Sequence, residues 1–242
     1  MVKVKWIGNA FFMIQSDDKL LFVDPWFNED QNVAVTKAEA IAMKPDYVFV
    51  THGHPGHYGR GDSVEIANTV GCPFISTIEV VGYALAEGGL KAPYIGMSPG
   101  SKIFIDGISV EMYKAKHPPI YIPPEWLDLP GEPNGFFVFT VNGKTILQVG
   151  DTDHDAVFEE IAKTHEIDIA LLPIKENKTD LARDNEIITL MSIINTVKPK
   201  AVFVHNRWKP GRPAYEAFAK GISSFTLEST IYPQELGAEY TL

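Results

Sequence analysis

The chain has 242 residues, 45% apolar and 21% charged, the make-up of an ordinary folded protein with enough length to bury a sizeable core. Its formal net charge of −10, from 21 basic and 31 acidic residues, opposes association with nucleic acid, whose binding rests on neutralising phosphates. No apolar run approaches the roughly 18 residues of a membrane-spanning helix, and the lone Cys72 excludes an intrachain disulfide.

The start, Met1-Val2-Lys3-Val4-Lys5-Trp6, alternates like a strand and lacks a secretory apolar core, so the expected compartment is cytoplasmic. Val2–Ile7, Phe11–Gln15 and Lys19–Val23 read as a meander turning at Asp17-Asp18. A helix over Thr36–Met43 and a buried strand over Asp46–Val50 follow. Asp62–Val70 is helical, with Asp62 or Ser63 as cap, Pro73–Ser76 is a short strand, and Thr77–Glu87 is a helix ending at Gly88-Gly89.

Two hairpins come next. Lys102–Ile105 and Ile108–Lys114 join at Asp106-Gly107, and Phe136–Val141 and Lys144–Val149 join at Asn142-Gly143. The remainder alternates: helix Asp155–Thr164, strand Asp168–Leu172, helix Asn185–Val197, strand Ala201–Val204 and helix Ala214–Ile222. Residues 117–135 are Pro-rich and read as a surface loop or lid. With no Gly/Ser linker or internal repeat, residues 1–242 are expected to form one domain of mixed sheets covered by helices.

Chemistry concentrates at His52-Gly53-His54-Pro55-Gly56-His57, which holds three of the seven histidines directly after the strand Asp46–Val50. Imidazole is the commonest metal ligand near neutral pH. In an extended segment His52 and His54 share a face. Pro55-Gly56 fits the centre of a type II turn with Gly56 left-handed, which would bring His57 back towards His54. His117, Asp151 and His205 each stand just beyond the end of another expected strand. Such ends converge when strands lie side by side, and open sheets place their sites along that edge.

The order His52-x-His54-x-x-His57, His117, Asp151, His205 resembles the metallo-β-lactamase superfamily of metal-dependent hydrolases, and within it the small hydrolases related to ascorbate-6-phosphate lactonases. Val23-Asp24-Pro25, Gly131-Glu132-Pro133-Asn134-Gly135, Val149-Gly150-Asp151-Thr152, Leu171-Leu172-Pro173-Ile174 and Val197-Lys198-Pro199-Lys200 extend the likeness over nearly the whole chain. The resemblance implies an α+β fold, a four-layer αββα sandwich with the metals at one edge between two mixed sheets. It implies a first ion on His52, His54 and His117, a second on His57 and His205, and Asp151 bridging them.

One position departs from the family pattern: Gly56 stands where Asp usually precedes the third histidine. The first site is therefore expected to be well occupied and the second weak or empty, unless Asp153, His154 or Asp155 substitutes; these three otherwise cap the following helix. The cofactor is one or two divalent ions, zinc first, with Mn, Fe or Ni as other candidates. With position 56 lacking a carboxylate, the general base is Asp151 or the metal hydroxide itself. No Gly-x-Ser-x-Gly element offers a covalent nucleophile.

The expected reaction is hydrolysis of an ester, lactone or phosphoester in a small molecule, with a homo-oligomer left open. Two other classes stay open: a binding protein that has lost catalysis, and a mononuclear iron dioxygenase using His52, His117 and Asp151. Arg207 and Lys175 could grip an anionic substrate group, or be solvated loop charges. Asp24 is expected to orient a ligand histidine. Trp26 either walls the pocket or packs in the core, and His165 reads as a surface residue.

Overall fold

A computed structural model describes residues 1–27, 33–117, 134–174, 180–206, 228–232 and 235–242, the side chains of 180–184 and 206 excepted. Lys175, Arg207, the helix expected at Ala214–Ile222 and most of the Pro-rich segment lie outside the described residues.

Two seven-stranded sheets pack face to face. The first begins with the meander β1 (Lys3–Gly8), β2 (Phe11–Gln15) and β3 (Leu20–Val23). It continues through β4 (Tyr47–Phe49), β5 (Phe74–Thr77) and β6 (Tyr94–Met97), which run parallel to β3. The second is built from β7 (Lys102–Ile105), β8 (Ile108–Lys114), β9 (Gly135–Val141) and β10 (Lys144–Gln148), then β11 (Ile169–Ile174), β12 (Ala201–Asn206) and β13 (Thr230–Tyr232). A last strand, β14 (Glu239–Thr241), returns to pair antiparallel with β1.

Helices cover both outer faces. On the first sheet lie α1 (Lys37–Ala42), α3 (Asp62–Val70) and α4 (Ile78–Ala86), with the single turn α2 (Pro55–Tyr58) at its edge. On the second lie α5 (Val157–Thr164) and α6 (Asp180–Val197). Among the described residues no helix is long and apolar enough to cross a membrane.

Local chemistry accounts for most of these boundaries. Thr36 and Glu39 form a reciprocal capping box at α1. Thr77 caps α4 by accepting from Val80 N at 3.3 Å. The two hairpins turn on Asp106-Gly107 (φ 45° and 79°) and Asn142-Gly143 (φ 47° and 73°), the left-handed pairs that match strand twist. The layers between and outside the sheets are aromatic and aliphatic: Phe49 of the first sheet meets Phe137 and Phe139 of the second, at 5.5 and 5.0 Å between ring centroids.

The sequence reading needs correction at several places, among them the start of α3, whose N-cap is Gly61 rather than Asp62 or Ser63. Pro55-Gly56 is not the centre of a type II turn: Pro55 is the first residue of α2, Gly56 is helical, and the left-handed glycine is Gly59 at φ 74°. Proline's fixed φ suits both conformations, so sequence alone did not separate them. The strands β6, β13 and β14 were not expected either. Each has three or four residues at a sheet's end, partly exposed, so the alternation that marks a strand is blunted.

Candidate metal centre

The parallel arrangement aims the ends of β3, β4, β5, β10, β11 and β12 at one edge of the sandwich. There the loop after β4 crosses from one sheet to the other: Gly135 N donates to Thr51 O at 3.2 Å and His52 forms an isolated antiparallel bridge with Asn134. Asn134 Nδ2 donates to His117 O at 2.8 Å, while Thr152 Oγ1 accepts from Lys116 N at 2.7 Å. These bonds tie the residue before His117 to the loop carrying Asp151. That loop approaches Thr51 closely because Gly150 has φ +60° and no side chain; a Cβ there would stand 3.0 Å from Thr51 Oγ1.

His52, His54, His117 and Asp151 converge, each offering one ligand atom, with all four atoms within 4.8 Å of one another. His54 Nδ1 lies 2.9 Å from His52 Nε2 and 3.0 Å from His117 Nε2. One nitrogen carries at most one proton, so it cannot donate to both neighbours. A tetrahedral zinc set with bonds of about 2.0–2.1 Å spaces its ligand atoms about 3.4 Å apart, close to what is seen. Three imidazoles and a carboxylate at this spacing fit a divalent cation.

The supporting shell fixes the rings. Thr51 Oγ1 donates its proton to Asp24 Oδ2 at 2.8 Å, so it accepts from His52 Nδ1 at 3.0 Å. His52 Nε2 is thereby left as the lone-pair nitrogen facing the cluster. Burial, followed by repulsion from His57, holds the His52 pKa well below the usual imidazole value, so the ring is neutral and fit to ligate. For His57, burial acts to lower the pKa, but the carboxylates of Asp24 and Asp151 outweigh it and raise the value.

The remaining expected residues fall as follows. Asp24 sits at φ 50° and accepts from Thr51 N at 2.7 Å and from His57 Nδ1 at 2.7 Å. His57 lies beside the quartet, its Nε2 3.5 Å from Asp151 Oδ1. His205 is buried at the same edge, its ring 5.2 Å from that of Phe12. Trp26 is 3% exposed and packs inside. His154 faces α6, bonding Thr196 Oγ1 at 3.1 Å and stacking on Phe158, while Asp153 and Asp155 are exposed; none of the three enters the cluster. His165 is half-buried rather than on the surface, 3.2 Å from Glu111 Oε2 at the opposite edge of the sheet.

Sequence reasoning did not single out Thr51, and it named Asn134 and Gly150 only as members of matching motifs, without a part in the site. Thr51 and Gly150 each adjoin a named ligand, and only the pairing of the two sheets' loops shows their part.

The model of the beta-lactamase superfamily domain matches residues 3–204. A UPF0173 metal-dependent hydrolase of Pyrobaculum calidifontis is 33% identical over 174 residues, 72% of each chain. One from Pelotomaculum thermopropionicum is 32% identical over 213 residues, 86% of each chain. Among solved structures, Igni18, a metallo hydrolase of Ignicoccus hospitalis, superposes with a TM-score of 0.79 at 22% identity, covering 100% of this chain and 99% of that one. The four-layer arrangement of two mixed sheets and flanking helices is that shared fold. The chain belongs to the beta-lactamase superfamily and, within it, to the UPF0173 metal-dependent hydrolases.

Proposed function

We propose that His52, His54, His117 and Asp151 hold one divalent ion, zinc in preference to Mn, Fe or Ni, and that the protein hydrolyses an ester, lactone or phosphoester bond in a small molecule. The reading is carried by one observation: four ligand atoms from two sheets meeting within 4.8 Å. The nitrogen-rich set favours zinc over magnesium or calcium, which take oxygen ligands. A bound ion of this kind supplies water whose pKa falls from about 15.7 to about 7, and polarises a carbonyl or phosphoryl oxygen.

The chain's own residues supply the rest. Asp151, 1% exposed, is the carboxylate of the quartet and the proposed proton acceptor. Its Oδ1 faces His57 Nε2 at 3.5 Å and its Oδ2 faces His117 Nε2 at 3.7 Å. Asp24 keeps His57 from turning away. A second ion would have His57, His205 and a share of Asp151, a set short of a carboxylate because position 56 is Gly. That supports a weak second site. Arg207 and Lys175 are proposed contacts for an anionic substrate group. Cys72 is no rival nucleophile, since burial pushes its thiol pKa to about 11. We take residues 1–242 as a single catalytic domain acting in the cytoplasm.

Elemental analysis of protein purified without chelator or added metal, paired with an ester, lactone and phosphodiester panel, tests this. About one tightly held ion per chain and chelator-sensitive turnover are expected. A metal-loaded protein inert to the whole panel would favour a binding role; persulfide-dependent oxygen uptake by an iron-loaded one would favour the dioxygenase.

A further inference from the structure

The ligand loop has a second side. His54 is the residue before α2, with φ −63° and ψ 146°, and stands between Gly53 and Pro55. Those residues, Gly53 and Pro55, wall a pocket of about 420 Å³ that Tyr58, Arg60, Tyr83 and Glu87 help to complete. The volume falls within the range of small-molecule sites. Two of its lining residues, Gly53 and Pro55, adjoin His54 of the metal quartet in the chain.

Two charges of opposite sign line it, and among the described residues neither Arg60 nor Glu87 forms an ion pair, with each other or with any other residue. Arg60 is held in place by its backbone. It has φ 50° between Gly59 at 74° and Gly61 at 105°, three consecutive left-handed residues of which only the middle one has a side chain. Gly59 admits no replacement, because a Cβ would stand 2.6 Å from the Pro25 carbonyl oxygen. An arginine kept in a sparsely populated conformation is the kind of strain that collects at binding sites. Tyr58 and Tyr83 meet edge to face, 5.8 Å between centroids, and give the pocket aromatic walls.

We propose that this pocket binds a small carboxylate bearing a hydrogen-bond donor at its far end, with the carboxylate on Arg60, the donor on Glu87 and the body against the two tyrosines. Guanidinium matches a carboxylate with two parallel bonds, and Glu87 accepts from a hydroxyl or amine while repelling a second anionic group. The occupant touches the backbone on both sides of His54 without entering the ion's ligand set. Any effect it has on metal affinity is matched by an equal effect of the metal on its own affinity.

Calorimetric titration of the full chain with 4-hydroxybenzoate, metal-loaded and metal-depleted, tests the proposal whether or not any substrate is hydrolysed. Saturable binding to both preparations is expected. Arg60→Gln should weaken it by about tenfold or more, with Arg60→Lys intermediate and thermal midpoints unchanged because Arg60 is exposed. Benzoate and inorganic phosphate should bind more weakly than 4-hydroxybenzoate, and Glu87→Gln should shrink the margin over benzoate. Absence of binding, full affinity in Arg60→Gln, equal affinity for benzoate or phosphate, or binding by the metal-loaded form alone would each overturn it, the last by assigning the carboxylate to the ion.

Discussion

Asp24 Oδ2 lies 2.7 Å from His57 Nδ1, with the two side chains 0% and 1% exposed. The same carboxylate takes the Thr51 amide and hydroxyl, and through that hydroxyl sets the tautomer of His52. One buried acid thus orients two histidines. Asp24→Asn leaves a donor where acceptors are required. The variant should lose about 2–4 kcal/mol of stability, the scale of a buried charged hydrogen-bond set, and about 10–100-fold in metal affinity. Denaturant midpoints and competition against a chelator read the two effects; metal affinity equal to the parent's would remove Asp24 from the ligand-orienting role.

His117→Ala should abolish tight metal binding, because it removes one of three imidazoles around the common point. His165→Ala, at the opposite edge of the sheet beside Glu111 and Tyr113, should leave metal content unchanged. Inductively coupled plasma analysis of both variants decides it, and equal retention would refute the ligand assignment.

Gly56→Asp would supply a carboxylate to the proposed second site on His57 and His205. Metal stoichiometry should rise towards about two ions per chain, the second entering with His57 and His205. An unchanged ratio would mean that another group already completes that site.

Gly150→Ala places a methyl 3.0–3.2 Å from the Thr51 side chain at a residue with φ +60°. The expected cost is about 1–3 kcal/mol. Because the loop carrying Asp151 must retreat, metal affinity should fall with stability, and a variant that loses neither would show that the close approach is unnecessary.

Acid sensitivity should trace in part to Asp168. Burial acts to raise its pKa, but the Thr145 amide at 2.9 Å and the Lys200 ammonium at 3.0 Å outweigh it and hold the carboxyl below its ordinary value. As pH falls past about 4 the unfolded chain takes up this proton first. Stability from this group is therefore complete above the unfolded pKa and drains away as pH falls through the folded one. Asp168→Asn should be less stable at neutral pH and show a shallower loss below about pH 4; parallel melting-temperature curves for the two proteins would contradict this.

Much of this molecule is legible in the sequence, for identifiable reasons. Asn142-Gly143 and Asp106-Gly107 announce hairpins because few other pairs tolerate two left-handed residues in succession. The cluster residues stand out because histidines and an aspartate follow buried strands. What stays hidden depends on long-range pairing. Pro55 is compatible with a turn or a helix start, and its surroundings decide. The edge strand β14 pairs with β1 from the far end of the chain, with no pattern of its own. Among the described residues the buried side-chain amide of Gln148 finds no hydrogen-bond partner, which the sequence, though it shows the residue, does not reveal.

The quartet draws His52 and His54 from the first sheet's edge and His117 and Asp151 from the second's. A cation seated among them would be a clasp across the seam of the sandwich, where the oily layer between the sheets gives way to a few polar links such as Gly135 N to Thr51 O. Folding and ion capture would then be linked, with the melting point climbing with free metal by mass action. A chelator would act on that seam, and the heat resistance of the protein would gauge the ion supply around it.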